Sequence, residues 1–178
     1  MDVRTLCLGI LALGDASGYE IKKMVAEGSF SFFSEASYGS IYPSLTRLTE
    51  EGFVTCEFFS QDKRPDKKIY SLTEKGRLAL TEELRRDPGP DKNRSEFLAA
   101  LLFAEAVSPD RIQNLVEERI DEHRMKIRSL QKLLDEAMSP ASHFVINYGI
   151  AMQKAALDYL EHHQASLIKK IIAAGPTE

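Results

Sequence analysis

Hydroxyl and basic side chains are concentrated between residues 38 and 68, with a spacing that suits binding to phosphate groups. The stretch GSIYPSLTR places Ser40, Tyr42, Ser44 and Arg47 on a predicted helix. Hydroxyls, and the backbone N–H groups near Gly39 at the start of that helix, can donate hydrogen bonds to phosphate oxygens. Four cations follow in a polar segment and can neutralise phosphates: Lys63, Arg64, Lys67 and Lys68.

Each of these groups also has a simpler interpretation. Arg47, the only long cation of its helix, suits bidentate contact with guanine or a phosphate, but it could instead pair with Glu50 or Glu51 on the helix surface. The ring of Tyr42 could be half-buried in the core. The four cations could simply solvate a surface turn. Their position after a helix and between two strands favours the phosphate-binding interpretation.

Pro43 determines where the helix carrying these residues starts. Proline lacks a backbone N–H, so it fits only where that group would have no helical partner. A start at Gly39 or Ser40 leaves Pro43 in the first turn. The apolar residues of the helix then form one buried stripe: Ile41, Leu45 and Leu48.

A two-stranded ribbon follows this helix. Gly52 ends the helix, and residues 54–59 and 69–72 are predicted strands. Residues 60–68 between them are polar and predict a turn. Thr73 caps a further helix that runs to residue 84. A helix followed by a charged ribbon is the arrangement by which winged-helix domains bind duplex DNA.

Two helices are predicted upstream of this region. Residues 5–13 are mostly apolar and predict a buried helix that ends at Gly14. Ser17 and Glu20 have the spacing of a capping box, which opens a second helix. Its predicted apolar positions are Tyr19, Ile21, Met24 and Val25.

A linker divides the chain into two predicted domains. Residues 87–91 contain two prolines and a glycine, which cannot continue a helix. We therefore expect a DNA-binding domain at 1–86, a linker at 87–93 and a helical domain at 94–178.

The second domain is helical in pattern throughout. We predict a short helix at residues 95–106, a long one opened by Ser108-Pro109, and a last one at 142–173 after Ser139-Pro140. So small a domain cannot bury the apolar stripes of two long helices, so we predict a homodimer formed through these helices as a coiled coil. Three residues of the last helix could line a ligand pocket or, more simply, form core or dimer seam: Tyr148, Met152 and Tyr159.

Composition excludes several classes of protein. The net charge of −4 argues against a protein that coats nucleic acid indiscriminately, so DNA binding must depend on local clusters of cations. No apolar run approaches the roughly 20 residues of a membrane span. Cys7 and Cys56 lie among apolar residues, which suits reduced thiols in the cytoplasm. We therefore expect a cytoplasmic protein without a signal peptide or membrane partner.

Enzymatic motifs are lacking. The four histidines have no Cys or His at metal-ligand spacing, and the cluster of Glu118, Glu122 and His123 lies in a run that is charged on every side. The sequence has no P-loop, dinucleotide fingerprint or nucleophile elbow. We predict no catalysis, no metal and no cofactor.

Three stretches of the chain together resemble the PadR-like transcriptional regulators. They are LGILALGDASGYEIKKMV, GSIYPSLTRLTEEGFV and KIYSLTEKGRLAL, within about residues 4–85. Residues 94–173 are more loosely similar to the helical C-terminal domain of virulence-gene activators. The resemblance implies a winged helix-turn-helix fold, mainly α with a small β-wing, and a coiled-coil dimer. By position it makes Tyr38 to Arg47, Pro43 included, the recognition segment and Lys63 to Lys68 the wing.

The function expected from these observations is that of a DNA-binding transcriptional regulator. We expect a homodimer on a palindromic operator of double-stranded DNA, a repressor rather than an activator. The resemblance implies that a small-molecule effector, such as a phenolic acid or a drug, releases it. Two other classes remain as alternatives, namely a winged-helix module that binds proteins and a ligand-binding helical protein without DNA binding.

Overall fold

The computed structural model describes residues 2–27, 30, 38–61, 64–90, 94–135, 137 and 139–174. The chain divides into two units, residues 1–90 and 91–178. Each unit has its own cluster of buried apolar side chains, so each is held by its own core.

Three helices meet in the core of the first unit. They are α1 (Val3–Leu13), α2 (Gly18–Glu27) and α3 (Tyr38–Glu50). The carboxylate of Asp2 accepts a hydrogen bond from the N–H of Thr5 at 2.8 Å and so caps α1. The buried side chains of the three helices include Leu6, Leu8, Ile10, Ile21, Val25, Ile41, Leu45 and Leu48.

Only half of the predicted apolar positions of α2 are buried. Ile21 and Val25 lie one turn apart and are buried, whereas Tyr19 is 68% and Met24 42% exposed. The four apolar positions of α2 therefore do not form one buried stripe. Tyr19 is two positions before Ile21, which places it about 200° away on the opposite face of the helix, and Met24 lies at the edge of the buried pair.

The helix α3 begins slightly earlier than Pro43 predicts. Its first residue is Tyr38, so Pro43 lies in the second turn and not in the first. The missing N–H leaves the carbonyl of Gly39 without its helical partner, but Gly39 is exposed and water can bind there. The chain leaves the helix at Gly52, whose φ of 74° is in the left-handed region that favours glycine.

The sheet of the first unit has three antiparallel strands in the order β1-β3-β2. β1 is Ala16–Ser17, β2 is Val54–Gln61 and β3 is Arg64–Leu72. In β2 and β3, Val54 pairs with Leu72 at the base of the hairpin and Gln61 pairs with Arg64 at its tip. The pairs of β1 are Ala16 with Tyr70 and Ser17 with Ile69.

The hairpin is longer than the sequence predicts, and residues 60–68 are not a nine-residue turn. Arg64, Lys67 and Lys68 lie in strand β3. Backbone hydrogen bonds extend the ladder through polar residues, because they do not depend on apolar side chains. Pro65 is tolerated in β3 because β1 pairs only further along the strand, which leaves one edge of β3 open around Pro65.

The helix α4 (Glu74–Leu84) is joined tightly to the hairpin. Thr73 caps it by accepting a hydrogen bond from the N–H of Gly76 at 3.1 Å. The same threonine donates to the carbonyl of Phe53 from its N–H at 3.1 Å and from its hydroxyl at 3.0 Å. Thr73 therefore fixes the start of α4 against the start of β2.

The second unit begins with an interrupted helical segment. Ser95 caps α5 (Glu96–Leu101), and a turn of 3₁₀ helix follows at Ala104–Ala106. The prediction of one helix at residues 95–106 is therefore wrong. The N–H of Phe103 donates to the carbonyl of Ala100 at 3.1 Å, a three-residue step that tightens the coil and ends α5.

Two long helices, α6 (Pro109–Asp135) and α7 (Pro140–Ala174), form an antiparallel pair. Nδ1 of His123 lies 2.6 Å from Oε1 of Gln153, so a hydrogen bond joins the helices across their contact face. The apolar side chains between them include Ile112, Val116, Ile120, Leu157, Leu160 and Ile168.

The ends of α6 and α7 follow the serine-proline pattern of the sequence. The hydroxyl of Ser108 accepts from the N–H of Arg111 at 3.4 Å, and that of Ser139 accepts from the N–H of Ser142 at 3.0 Å. Although α7 has 35 residues, neither it nor any other described helix is apolar enough to cross a membrane.

Candidate nucleic-acid interface

The helix α3 has one face in the core and an opposite face in solvent. Ile41, Leu45 and Leu48 are each at most 1% exposed and hold the helix against the rest of the unit. The side chains directed outward are Tyr42, Pro43, Thr46, Arg47 and Glu50. The apolar stripe therefore fixes the helix while its polar face stays open to a ligand.

Arg47 is exposed on this open face, and Glu51, one of its two predicted partners, is engaged elsewhere. Glu51 accepts a hydrogen bond from Arg4 of α1 at 2.6 Å. Among the residues that the structure describes, the side chain of Arg47 has no ion pair or hydrogen bond. Its guanidinium is thus available to a base edge or a phosphate.

Tyr42 lies where α2, α3 and β3 meet. A Cβ on Gly18 would lie 2.6 Å from Cε1 of Tyr42, so the ring rests directly on the backbone at the start of α2. Tyr42 also contributes, after burial and the neighbouring Cys56, to raising the pKa of Tyr70 in β3. Tyr42 is nevertheless 47% exposed, so one side of its ring is packed and the other is open.

The remaining predicted residues of α3 differ in orientation. Ser44 is half-buried beside Cys7 of α1, where its hydroxyl lowers the pKa of the thiol against the larger effect of burial. Ser40 is half-buried as well. Gly39 is exposed near the N-terminus of the helix, where backbone N–H groups have no helical partners. The side chain of Tyr38 lies outside the described residues.

Lys68 and Phe58 form a cross-strand pair on the hairpin. Their Cα atoms are partners in the ladder between β2 and β3. The Nζ of Lys68 lies 5.0 Å from the centroid of the Phe58 ring, and Phe58 is 67% exposed. The amino group thus rests on an aromatic face and remains open to solvent.

Lys67 contacts α2, and its side chain remains 39% exposed. Its Nζ lies 3.1 Å from Oε1 of Glu20. Oε2 of the same carboxylate accepts hydrogen bonds from the N–H and the hydroxyl of Ser17, each at 2.7 Å. These three hydrogen bonds, those of Ser17 first, lower the pKa of Glu20 to about 2. The predicted capping box is present and is linked to the hairpin.

The last two predicted wing residues are Lys63 and Arg64. Lys63 lies outside the described residues, and so does the side chain of Arg64. The backbone of Arg64 pairs with Gln61 at the tip of the ladder. Both residues therefore remain a prediction of the sequence.

The first turn of α2 belongs to this surface, although sequence reasoning did not assign it there. Gly18 supports Tyr42, Glu20 holds Lys67, and Tyr19 is exposed beside them. The sequence offers one indication of this: a helical projection places Tyr19 well away from Ile21. Contacts between residues 18 and 42, or 20 and 67, have no local sequence pattern.

Helices α2 and α3 with the β2–β3 hairpin and α4 define a winged helix-turn-helix, a class of protein that binds duplex DNA. The model of the transcriptional regulator PadR-like family matches residues 7–82, and that of the virulence activator alpha C-terminal region matches residues 93–167. The negative transcriptional regulator PadR of Bacillus subtilis is 33% identical over 135 residues, which cover 75% of this chain and 74% of PadR. The chain belongs to the PadR-like family of transcriptional regulators, and its relatives are regulators rather than enzymes.

Solved structures agree with this assignment over nearly the whole chain. The protein smu.1604c of Streptococcus mutans UA159 is 34% identical, with a TM-score of 0.85 over 93% of this chain and 99% of that one. B. subtilis PadR in complex with operator DNA is 28% identical, with a TM-score of 0.76 over 92% and 98%. PadR has also been solved with p-coumaric acid, with a TM-score of 0.69 over 93% and 98%. The fold is that of DNA-binding regulators.

Proposed function

We propose that this protein represses transcription as a homodimer on a palindromic operator, and that a small-molecule effector releases it. One observation carries the proposal: the open face of α3 presents Arg47 without a partner among the described residues. This face belongs to a fold that is similar to PadR in its complex with operator DNA. The proposal also places the protein in the cytoplasm.

The proposed DNA contacts come from two elements. Arg47 would reach a guanine edge or a phosphate in the major groove, while Ser40, Tyr42 and the backbone near Gly39 would donate to phosphates. The ring of Pro43 and the residue Tyr38 would lie along the same edge of the groove. On the hairpin, phosphate contacts would come from Lys63, Arg64 and Lys68. Ser44 would contribute least, because it is half-buried beside Cys7.

The proposed dimer rests on an apolar face of α7 that is exposed among the described residues of its own unit. Its large side chains recur at helical spacing, and each is at least 55% exposed: Phe144, Tyr148, Met152 and Tyr159. Such a face is costly to leave in water along a helix about 50 Å long. A second copy presents the same face, so a two-fold contact buries both together. This symmetry would place two recognition helices about 34 Å apart on the operator.

Repression and release by an effector are supported by the relatives and by a groove in the second unit. B. subtilis PadR is named a negative regulator, and it has been solved with p-coumaric acid. In this chain a groove of about 530 Å³ between α6 and α7 has apolar walls from Val116, Ile168 and Ile172 and a polar rim that includes Gln164 and Lys169. The groove is also lined by Glu117, so an aromatic carboxylate would bind at the Lys169 side, with its ring against the apolar walls.

Selection of bound fragments from the source organism's genomic DNA tests the proposal. We expect enrichment of fragments with an inverted repeat, binding of two chains per fragment in native mass spectrometry, and a binding constant that falls steeply with salt. Loss of binding on addition of aromatic acids, with a thermal shift of the free protein, would identify the effector class. A protein that enriches no fragment, or binds every fragment equally, would refute the proposed function.

A further inference from the structure

We propose that the N-cap and first turn of α2 (residues 17–20) position both DNA-contacting elements, with Gly18 seating Tyr42 of the recognition helix and Glu20 holding Lys67 of the hairpin. Lys67 is then a positioning residue and not a phosphate ligand. The inference rests on the proposed DNA binding and adds to it a role for residues that need not touch DNA themselves.

Gly18 can seat Tyr42 because it has no side chain. A Cβ there would lie 2.6 Å from Cε1 and 3.3 Å from Cδ1 and Cζ of Tyr42. The distance to Cε1 is shorter than carbon atoms tolerate and the other two are tight, so the ring occupies the space that a side chain at position 18 would fill. The ring is therefore oriented by contact with the α2 backbone while its other side stays open.

Glu20 can hold Lys67 because the carboxylate is itself fixed. Oε2 accepts two hydrogen bonds from Ser17, which is only 5% exposed and pairs with Ile69 of β3. Lys67 donates to Oε1 at 3.1 Å. Two flexible side chains on a surface would gain little from pairing. Here one partner is anchored in the sheet, so the pair sets the direction in which the hairpin leaves the unit.

The two adjacent lysines thus have different tasks. Successive residues of a strand point to opposite faces, so Lys67 and Lys68 cannot both face the same phosphate backbone. Lys67 is engaged by Glu20, whereas Lys68 is exposed over the Phe58 ring. Lys68 can bind a phosphate without breaking an ion pair within the protein, whereas Lys67 would have to leave Glu20.

A double-mutant cycle tests the role of Gly18. On the fragment selected from genomic DNA, Gly18→Ala should weaken binding about tenfold, because it displaces the Tyr42 ring. In a Tyr42→Ala background the same change should have no effect, since no ring remains to be displaced. Gly9→Ala is the matched control, because a Cβ there has nothing within 4 Å. An equal loss in both backgrounds would overturn the seating role.

The sign of the Glu20→Gln effect tests the second contact. Glutamine keeps the capping box but removes a negative charge close to the DNA, so electrostatics alone would tighten binding. If Glu20 positions the hairpin, binding should instead weaken several-fold, and adding Lys67→Gln should weaken it no further. Tighter binding by Glu20→Gln would overturn the inference.

Salt dependence separates the two lysines and separates this inference from the proposed function. Lys68→Gln should lower the slope of log Kd against log salt by about one, and Lys67→Gln should leave it unchanged. A slope that falls by about one for Lys67→Gln would assign that residue to phosphate. If the wild-type protein selects no DNA, the proposed function fails. If it selects DNA and the variants bind as the wild type does, only the positioning role fails.

Discussion

Gly76→Ala should destabilise the first unit by about 2 kcal/mol and lower its Tm by about 8–16 °C. A Cβ at this position would overlap the carbonyl oxygen of Phe53 and lie 3.1 Å from its carbonyl carbon and 2.7 Å from Cδ1 of Leu72. Two of these atoms are backbone, so rotation of a side chain cannot relieve the overlap. The carbonyl also accepts two hydrogen bonds from Thr73, which would be strained when it moves.

The estimate combines three effects on the free energy of unfolding. Overpacking of a filled site costs about 1–3 kcal/mol, and weakening a hydrogen bond adds about 1 kcal/mol. The better helix propensity of alanine returns about 1 kcal/mol. Thermal and urea unfolding followed by circular dichroism would measure the balance.

Gly9→Ala is the control for this experiment. Gly9 is also in a helix of the first unit, but a Cβ there has nothing within 4 Å, so alanine should stabilise by about 0.5–1 kcal/mol. Opposite signs for the two substitutions are the expected result. If Gly76→Ala unfolds at the wild-type temperature, the close approach of α4 to the hairpin is refuted.

Three further predictions concern the recognition helix, the capping box of α2 and the exposed face of α7. Arg47→Ala should weaken operator binding by about 1–3 kcal/mol in a titration. The Tm should stay unchanged, because the Arg47 side chain makes no ion pair or hydrogen bond with the described residues. Unchanged discrimination between operator and other DNA would exclude a role of Arg47 in base readout. Since the pKa of Glu20 is lowered from 4.5 to about 2, the stability it contributes is present above pH 4.5 and is lost as the pH falls towards 2. Glu20→Gln should therefore flatten the Tm profile in that window, and parallel profiles would contradict this. Met152→Glu places a charge on the exposed apolar face of α7 and should shift the protein to monomer in analytical ultracentrifugation. Lys154→Glu is the control, because residue 154 lies about 200° away around the helix, and it should leave the dimer intact. Equal behaviour of the two variants would exclude this face of α7 as the dimer contact.

Those parts of the fold that repeat along the chain could be predicted from the sequence. The stripe of Ile41, Leu45 and Leu48 is regular, and all three residues are buried. The Ser17–Glu20 capping box is local in sequence and is present. Strand lengths could not be predicted, because the outer hairpin is held by backbone hydrogen bonds between polar residues. The two-residue strand β1 is too short to leave a pattern.

The candidate site could be predicted only in part. Residue type and helical position indicated Arg47 and Tyr42, both of which lie on the open face of α3. The contact of Lys67 with Glu20 joins residues 47 positions apart in sequence, so composition could show only that Lys67 is a cation. Residue type alone groups Tyr19 with the apolar positions of α2, whereas its helical position, about 200° from Ile21, indicates that it faces outward.

Cys7 gives the first unit an internal reporter of local opening. Its thiol is completely buried beside Ser44 of α3, and burial raises its pKa to about 11. Alkylating reagents attack the thiolate, so Cys7 is labelled only in molecules whose helices have separated. Cys56, half-buried on β2, supplies a second rate from the hairpin. The two labelling rates therefore report local opening of the recognition helix and of the wing separately, without the need to introduce a cysteine. If an effector that binds in the second unit weakens DNA binding by opening the recognition helix or the wing, it must change at least one of these two rates.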